Sequence, residues 1–353
     1  MRKRQILVDL TKLKVLNCGL GQVAYNTGVE IGKYDMPDLK INLLLPSQFK
    51  CSFGDNVGYV NSYPLHKILP TLIRDFDLWH STSQLSSVVP RKNSTPMLLT
   101  IHDLNFLYEK SAKKAENYLR KVQNRVDRAC FITTISDFTA SEINRHINLK
   151  GKELRVIYNG VKLNNLNDKI CPQFVQKSTP FFFSIGQIVE KKNFHVLLDV
   201  MKNLKKFNLY ISGEDTSDYA NYIRNRIEKE QISNVKLTGS ISTEEKNWLY
   251  QNCHAFVFPS KFEGFGLPVI EAMQCGKPVF SSEMTSLKEI GDKYAYFWND
   301  FEPKYMANII KSGLIDFEQN PQRKTDEIKY AHSFSYEKNV NSYLSLYREI
   351  LGL

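Results

Sequence analysis

Six short apolar runs, QILVDL, INLLLPS, DLWHS, MLLTIHDL, FITTIS and LRVIYNG, punctuate the first half of this sequence. Six more, PFFFSIG, FNLYISG, NVKLTGS, HAFVFPS, KPVFSS and YAYFW, punctuate the second. They are continuous rather than alternating, and segments of helical period lie between them, such as 112–128, 193–206, 216–231 and 242–252. A strand that is apolar on both sides has to be covered on both faces, and parallel strands need the crossovers that such helices supply. The chain therefore reads as an α/β protein built on parallel sheets. The rhythm pauses once, over the polar, Asn-rich residues 162–179. Two doubly wound, Rossmann-like domains are expected: 1–165, then a linker at 166–179, then 180–332. In the last segment, 333–353, Val340, Tyr343, Leu344, Tyr347, Ile350 and Leu351 recur at helical spacing, which predicts a docked amphipathic helix.

The 353 residues are 42% hydrophobic, enough to bury the cores of two domains. Lys and Arg total 47 against 37 Asp and Glu, a net charge of +10. That balance favours polyanionic partners: nucleic acid, an anionic membrane face or phosphorylated small molecules. The densest basic stretches, 110–128 and 202–206, lie on expected helices mixed with acids, which argues against a nucleic-acid binder. Six scattered cysteines with no CxxC spacing read as free thiols in a reducing compartment. The opening MRKRQILVDL has too short an apolar stretch for a signal peptide, and no run approaches the ~20 residues of a membrane span. A cytoplasmic protein is expected, in peripheral contact with a membrane from the inside.

Ligands of open α/β sheets bind outside the carboxyl ends of the strands. The unusual residues of this chain fall at those ends. Gly19-x-Gly21 follows the first run, His102-Asp103 the fourth, and Gly186 with Lys191 and Lys192 follows PFFFSI. Ser212-Gly213-Glu214 follows FNLYI, and KFEGFGLPVIEAM follows HAFVFPS. In the last of these, Gly264 and Gly266 allow the backbone to curl against an approaching group, and Pro268 suits the first turn of a helix. Free N–H groups at that helix start would suit a phosphate. Glu263 before the turn and Glu271 one turn inside the helix place a carboxylate on either side of it. Other chemistries fit less well. Cys253-His254 enters a strand, where alternation points the two side chains to opposite faces, no G-x-S-x-G elbow is present, and the first loop lacks a full G-x-G-x-x-G.

FEGFGLPVIEAMQCGKPV resembles the E-x7-E motif of the retaining glycosyltransferases of family 4, in particular their bacterial mannosyltransferase-like branch. The resemblance extends to GLGQVAYN, LLTIHDL, ITTISDFTASEI, VIYNGV, SIGQIVEKKN, YISGE, VKLTGSIS, CHAFVFPS and TSLKEIG. It implies the GT-B fold: two Rossmann-like domains facing a central cleft, the first for the acceptor, the second for a nucleotide-sugar, with the C-terminal helix returning to the first. It further implies that Glu271 holds the ribose hydroxyls and Glu263 those of the transferred sugar. The backbone of Gly264, Phe265, Gly266 and Leu267 would contact the diphosphate. Lys192, with Lys191 beside it, would neutralise that diphosphate, and His102 would lie near the sugar's reactive end. Gly19, Gly21 and Gly186 would let loops approach the donor, Gly239 would lie near the base, and Asn159-Gly160 would end the acceptor domain. One departure stands out: many members carry arginine after the glycine at 186, where this chain has Gln187. No metal or cofactor is implied. The expected donor is GDP-mannose ahead of a UDP-hexose, and the expected acceptor a glycan or lipid-linked saccharide of surface polysaccharide or lipopolysaccharide synthesis. The competing expectation is a non-catalytic protein of the same fold that binds a nucleotide-sugar, a membrane or nucleic acid.

Overall fold

In a computed structural model that describes residues 2–16, 18–67, 73–90, 92–163 and 169–353, the apolar runs are strands and every pairing between them is parallel. The chain separates into two units, residues 1–160 with 334–353, and residues 161–333. The first carries β1 (Arg4–Asp9), β2 (Leu39–Leu45), β3 (Gly58–Asn61), β4 (Leu78–Ser81), β5 (Met97–Ile101), β6 (Phe131–Thr134) and β7 (Leu154–Val156), in the sheet order β3-β2-β1-β4-β5-β6-β7. Its helices are α1 (Gly19–Ile31), α2 (Phe106–Glu109), α3 (Ala112–Arg128) and α4 (Asp137–His146). The second carries β8 (Phe181–Ile185), β9 (Asn208–Ser212), β10 (Val235–Gly239), β11 (Ala255–Phe258), β12 (Val279–Ser282) and β13 (Tyr296–Trp298), in the order β10-β9-β8-β11-β12-β13. Its helices are α5 (His195–Lys202), α6 (Asp218–Lys229), α7 (Thr243–Asn252), α8 (Leu267–Gln274), α9 (Ser286–Gly291), α10 (Pro303–Gln319) and α11 (Pro321–His332). The chain then closes with α12 (Tyr336–Leu351), which belongs to the first unit.

Each sheet reverses its strand order once, between β1 and β4 in the first unit and between β8 and β11 in the second. Such switch points are where doubly wound sheets open a crevice. The seventh strand, β3, lies within 46–64, where no apolar run announces it. It is an edge strand, half-buried throughout, so it needs no continuous apolar sequence. The unit boundary falls between Gly160 and Val161. Residues 169–179 belong to the second unit: Ile170 N–H donates to the Glu244 carbonyl (3.3 Å) and Gln176 N–H to the Tyr210 hydroxyl (3.0 Å). Of the expected linker, 166–168 lie outside the described residues.

The closing helix docks by both apolar and polar contacts. Val340, Tyr343, Leu344 and Tyr347 join the core that α1 and the first sheet share. Beneath them His80 is buried, with Nδ1 2.6 Å from the Tyr347 hydroxyl and Nε2 2.8 Å from Thr100 Oγ1. Thr100 in turn lies 2.8 Å from Thr133 Oγ1 and 3.2 Å from the Tyr343 hydroxyl. Each side-chain polar atom of this His80–Thr100–Thr133–tyrosine network has a partner, so the helix is fixed in one rotation and register against the sheet. His80 is thus structural, and burial pushes its pKa down to about 3. No helix among the described residues is long and apolar enough to cross a membrane.

Candidate active site

In the second unit, the loops after β8, β9 and β10 meet through their glycines. Gly186 N–H donates to the Ser212 carbonyl (2.9 Å) and Gly213 N–H to the Gly239 carbonyl (2.9 Å). Gly213 has φ of +144°, and a Cβ there would lie 1.9 Å from the Gly186 carbonyl oxygen, so only glycine brings the two loops this close. Gly239 sits by the Asp215 carboxylate, which pairs with Arg224. Gln187, standing where a cation is common in the resembling family, has its amide nitrogen 3.5 Å from a Glu214 carboxylate oxygen. It brings no positive charge to the loop.

Past Gly186 the chain makes a single turn, Glu190–Lys192, and leaves it through Asn193 in the left-handed region (φ +58°). The turn delivers Lys192 to Glu263, with which it forms an ion pair; the side chains are 12% and 15% exposed. The ammonium also lies 5.0 Å from the centroid of the Phe258 ring, a cation–π distance. The Lys192 stem passes against Gly186, where an added Cβ would be 3.2 Å from its Cε. Lys191 contributes its backbone: its carbonyl accepts from Lys261 N–H (2.8 Å) and Ser260 Oγ (3.3 Å), tying the turn to the segment that leads into Glu263.

That segment is held from the other side by the start of α9. Glu263 N–H donates to Thr285 Oγ1 (3.1 Å), and Ser286 Oγ donates to the carbonyls of Glu263 (3.0 Å) and Phe265 (2.9 Å). Gly264 and Gly266 are buried, and the Phe265 ring belongs to the core at 3% exposure. Gly266 caps α8 at φ +113°, a conformation that side chains resist, and Pro268 occupies the second helical position. The N–H groups of Gly266 and Leu267 make no hydrogen bond among the described residues, as is usual for the first turn of a helix. One turn on, Glu271 accepts from Lys246 Nζ (3.0 Å) and from the Tyr250 hydroxyl (2.8 Å). Burial, then the Glu271 charge, raises the Tyr250 pKa well above its ordinary value, so the phenol stays a donor.

The second unit therefore joins Gly186, Lys191, Lys192, Gly239, Glu263, Gly264, Phe265, Gly266, Leu267 and Glu271 around one set of strand ends. Lys246, Tyr250, Thr285 and Ser286 complete it, and no motif in the sequence singles out the first two. Gly19, Gly21 and His102 stand in the first unit. Gly19 opens α1, and a Cβ on Gly21 would lie 1.9 Å from the Val15 carbonyl, so Gly21 lets α1 pack on the turn before it. His102 follows β5 and is 6% exposed, with Nε2 2.7 Å from the Thr82 carbonyl. That contact makes Nε2 the protonated nitrogen and leaves Nδ1 a lone pair without a partner among the described residues. Burial lowers the His102 pKa to about 4, against the Thr82 bond and with help from the Lys12 charge, so the ring is neutral at physiological pH.

Residues 169–334 match the family model for glycosyl transferases group 1, and residues 47–165 that for glycosyltransferase family 4. The chain is 32% identical to the O-antigen chain mannosyltransferase B of Escherichia coli over 272 residues, 70% of this chain and 69% of that protein. It is 29% identical to the O-antigen chain mannosyltransferase RfbU of Salmonella typhimurium, over 87% of this chain and 90% of that one. Among solved structures, the Anabaena protein HepE in complex with UDP and glucose superposes with a TM-score of 0.73 at 17% identity, covering 98% of this chain and 100% of that one.

Proposed function

This chain belongs to the glycosyltransferases of group 1 and family 4 and has their GT-B fold, and we propose that it moves a hexose from a nucleoside-diphosphate sugar to a glycan or lipid-linked acceptor with retention at the anomeric carbon. The observation that carries this reading is the Lys192–Glu263 pair at the junction of the β8 loop with the start of α8. The acceptor hydroxyl attacks from the face that the diphosphate leaves. Its oxygen bonds to the anomeric carbon, the bond to the diphosphate oxygen breaks, and that oxygen takes the proton. No protein nucleophile and no metal is required; what the step needs is positive charge where the leaving group gains negative charge. Lys192 supplies it, with the open N–H groups of Gly266 and Leu267 and the α8 dipole. Glu263 accepts from hydroxyls of the transferred sugar. Glu271, oriented by Lys246 and Tyr250, accepts from the ribose, and Gly239 stands by the base. In the first unit His102, neutral, offers Nδ1 to a sugar hydroxyl.

Two relatives are mannosyltransferases of O-antigen chains, which favours GDP-mannose over a UDP-hexose and surface polysaccharide synthesis as the setting. A net charge of +10 suits peripheral contact with the cytoplasmic face of an anionic membrane. Cell fractionation at low salt checks the contact: protein found wholly in the soluble fraction removes it.

The donor site is tested by a thermal-shift panel of UDP, GDP, ADP and their sugar conjugates on wild type and Glu271→Ala. At about 100 times its dissociation constant, one nucleotide is expected to stabilise the wild type by about 2.7 kcal/mol. The variant, about tenfold weaker, should lose about half of that. A folded protein that no nucleotide stabilises would favour a binding protein that shares the fold.

A further inference from the structure

At the switch point of the first sheet, where the order turns from β1 to β4, lies a pocket that opens to solvent. Its floor comes from the strand ends: Lys12 after β1, Thr82 after β4 and His102 after β5, with Asn159 alongside. Side chains of α1 and α12, among them Val23 and Leu344, form apolar walls. Apolar walls with a few convergent polar groups are what a small-molecule site presents.

Its charge is unbalanced. Among the described residues no acidic residue lines it, and the ammonium of half-buried Lys12 makes no ion pair or hydrogen bond. The two lining histidines are neutral, so among the described residues the Lys12 ammonium is the only full charge that the lining holds. A lone cation beside apolar walls acts through less water than one on an open surface, and its field is correspondingly stronger. The remaining polar groups suit hydroxyls. His102 Nδ1 is a buried acceptor without a partner, and the Asn159 amide, which makes no hydrogen bond among the described residues, both donates and accepts. The nitrogens of His80 are already taken by Tyr347 and Thr100.

We propose that this pocket seats an anionic sugar, one that carries a phosphate or carboxylate group, and that Lys12 selects for the charge. Calling that sugar the acceptor of the transfer rests on the function proposed above; its binding does not. A charge-assisted contact to either anion is stronger than the same contact to a hydroxyl, so a neutral sugar of equal shape is discriminated against.

The test measures calorimetric affinities of the full chain for hexose 1- and 6-phosphates, glucuronate, the parent neutral hexoses and inorganic phosphate. At least one anionic sugar should bind ten times or more tighter than its neutral parent and than inorganic phosphate. The phosphate and uronate arms decide which anion is meant. Lys12→Gln should abolish the preference and Lys12→Arg keep most of it, with both variants melting like wild type. Asn159→Ala should weaken charged and neutral sugars alike. Equal binding of charged and neutral sugars overturns the proposal. So does a preference that survives Lys12→Gln, inorganic phosphate binding as tightly as any sugar phosphate, or no anionic sugar binding at all. The nucleotide panel on the same preparation separates the two readings: a nucleotide shift without the anion preference sinks this inference alone, and the reverse sinks the transferase reading alone.

Discussion

Lys192→Met is expected to lower the transfer rate by about 10²–10³-fold, the usual cost of removing one preorganised group that faces developing charge. The leaving diphosphate gains negative charge as the glycosidic bond breaks, so a cation beside it stabilises the transition state more than the bound donor. The loss should therefore appear in kcat, with donor affinity changed less than about tenfold. A complication comes from the pair itself. With the side chains only 12% and 15% exposed, removing Lys192 leaves the Glu263 carboxylate largely buried and uncompensated, which costs about 1–3 kcal/mol of stability. Lys192→Met/Glu263→Gln removes that penalty. It should melt near the wild type and still fail to transfer, which separates a chemical loss from a folding one. A folded Lys192→Met within tenfold of wild-type rate would remove Lys192 from the chemistry. Gln187 sharpens the expectation: it faces Glu214 and brings no positive charge, so no second cation stands in the β8 loop at that position.

How much of this was legible in the sequence depends on whether the signal was local. Continuous apolar runs mark buried parallel strands by themselves, and twelve of the thirteen strands among the described residues were read that way. β3 was not, because half-buried residues at a sheet edge owe their conformation to the pairing with β2. The helix expected over 193–206 is shorter, His195–Lys202, since the left-handed Asn193 separates it from the turn before it. The spacing of Glu263 and Glu271 and the glycines around the turn are local: Glu263 precedes the turn that Gly266 closes, and Glu271 lies inside α8. What holds them is not local. Lys246 and Tyr250 reach Glu271 across 25 and 21 residues, and Thr285 and Ser286 reach the Glu263 loop across 22 and 23. Such partners are chosen by sheet topology and carry no short motif. His80 is a longer-range case: its role is set by Tyr347, 267 residues away.

Glu327→Gln is expected to stabilise the second unit at pH 7 and above, against the usual direction for a buried substitution. Glu327 lies on α11 with no exposed surface, and neither carboxyl oxygen has a hydrogen-bond partner among the described residues. Burial pushes its pKa up to about 9, with Arg323 and Lys324 offsetting only part of that. The folded state therefore holds a proton that the unfolded chain, titrating near 4.5, releases. Stability from this group is fully present below pH 4.5 and is lost as pH rises toward 9, at about 1.4 kcal/mol per unit. By pH 7 the penalty is about 3 kcal/mol. Glutamine keeps the shape and does not titrate, so urea denaturation should show its advantage growing between pH 5 and 8 and vanishing near pH 4.5. An offset that does not change with pH would mean that Glu327 is not protonated in the fold. The first unit carries the opposite dependence. His80 and His102 have folded pKa values of about 3 and about 4, below the ordinary 6.5. Their contribution is present above pH 6.5 and is lost as the solution is acidified through those values. Acid thus loosens the unit with the pocket while it relieves the unit with the Lys192–Glu263 pair, so the stability of the second unit relative to the first should rise between pH 8 and pH 5. Because Glu327→Gln acts on the second unit alone, it should flatten one of the two pH profiles and leave the other unchanged, which assigns each unfolding transition to its unit.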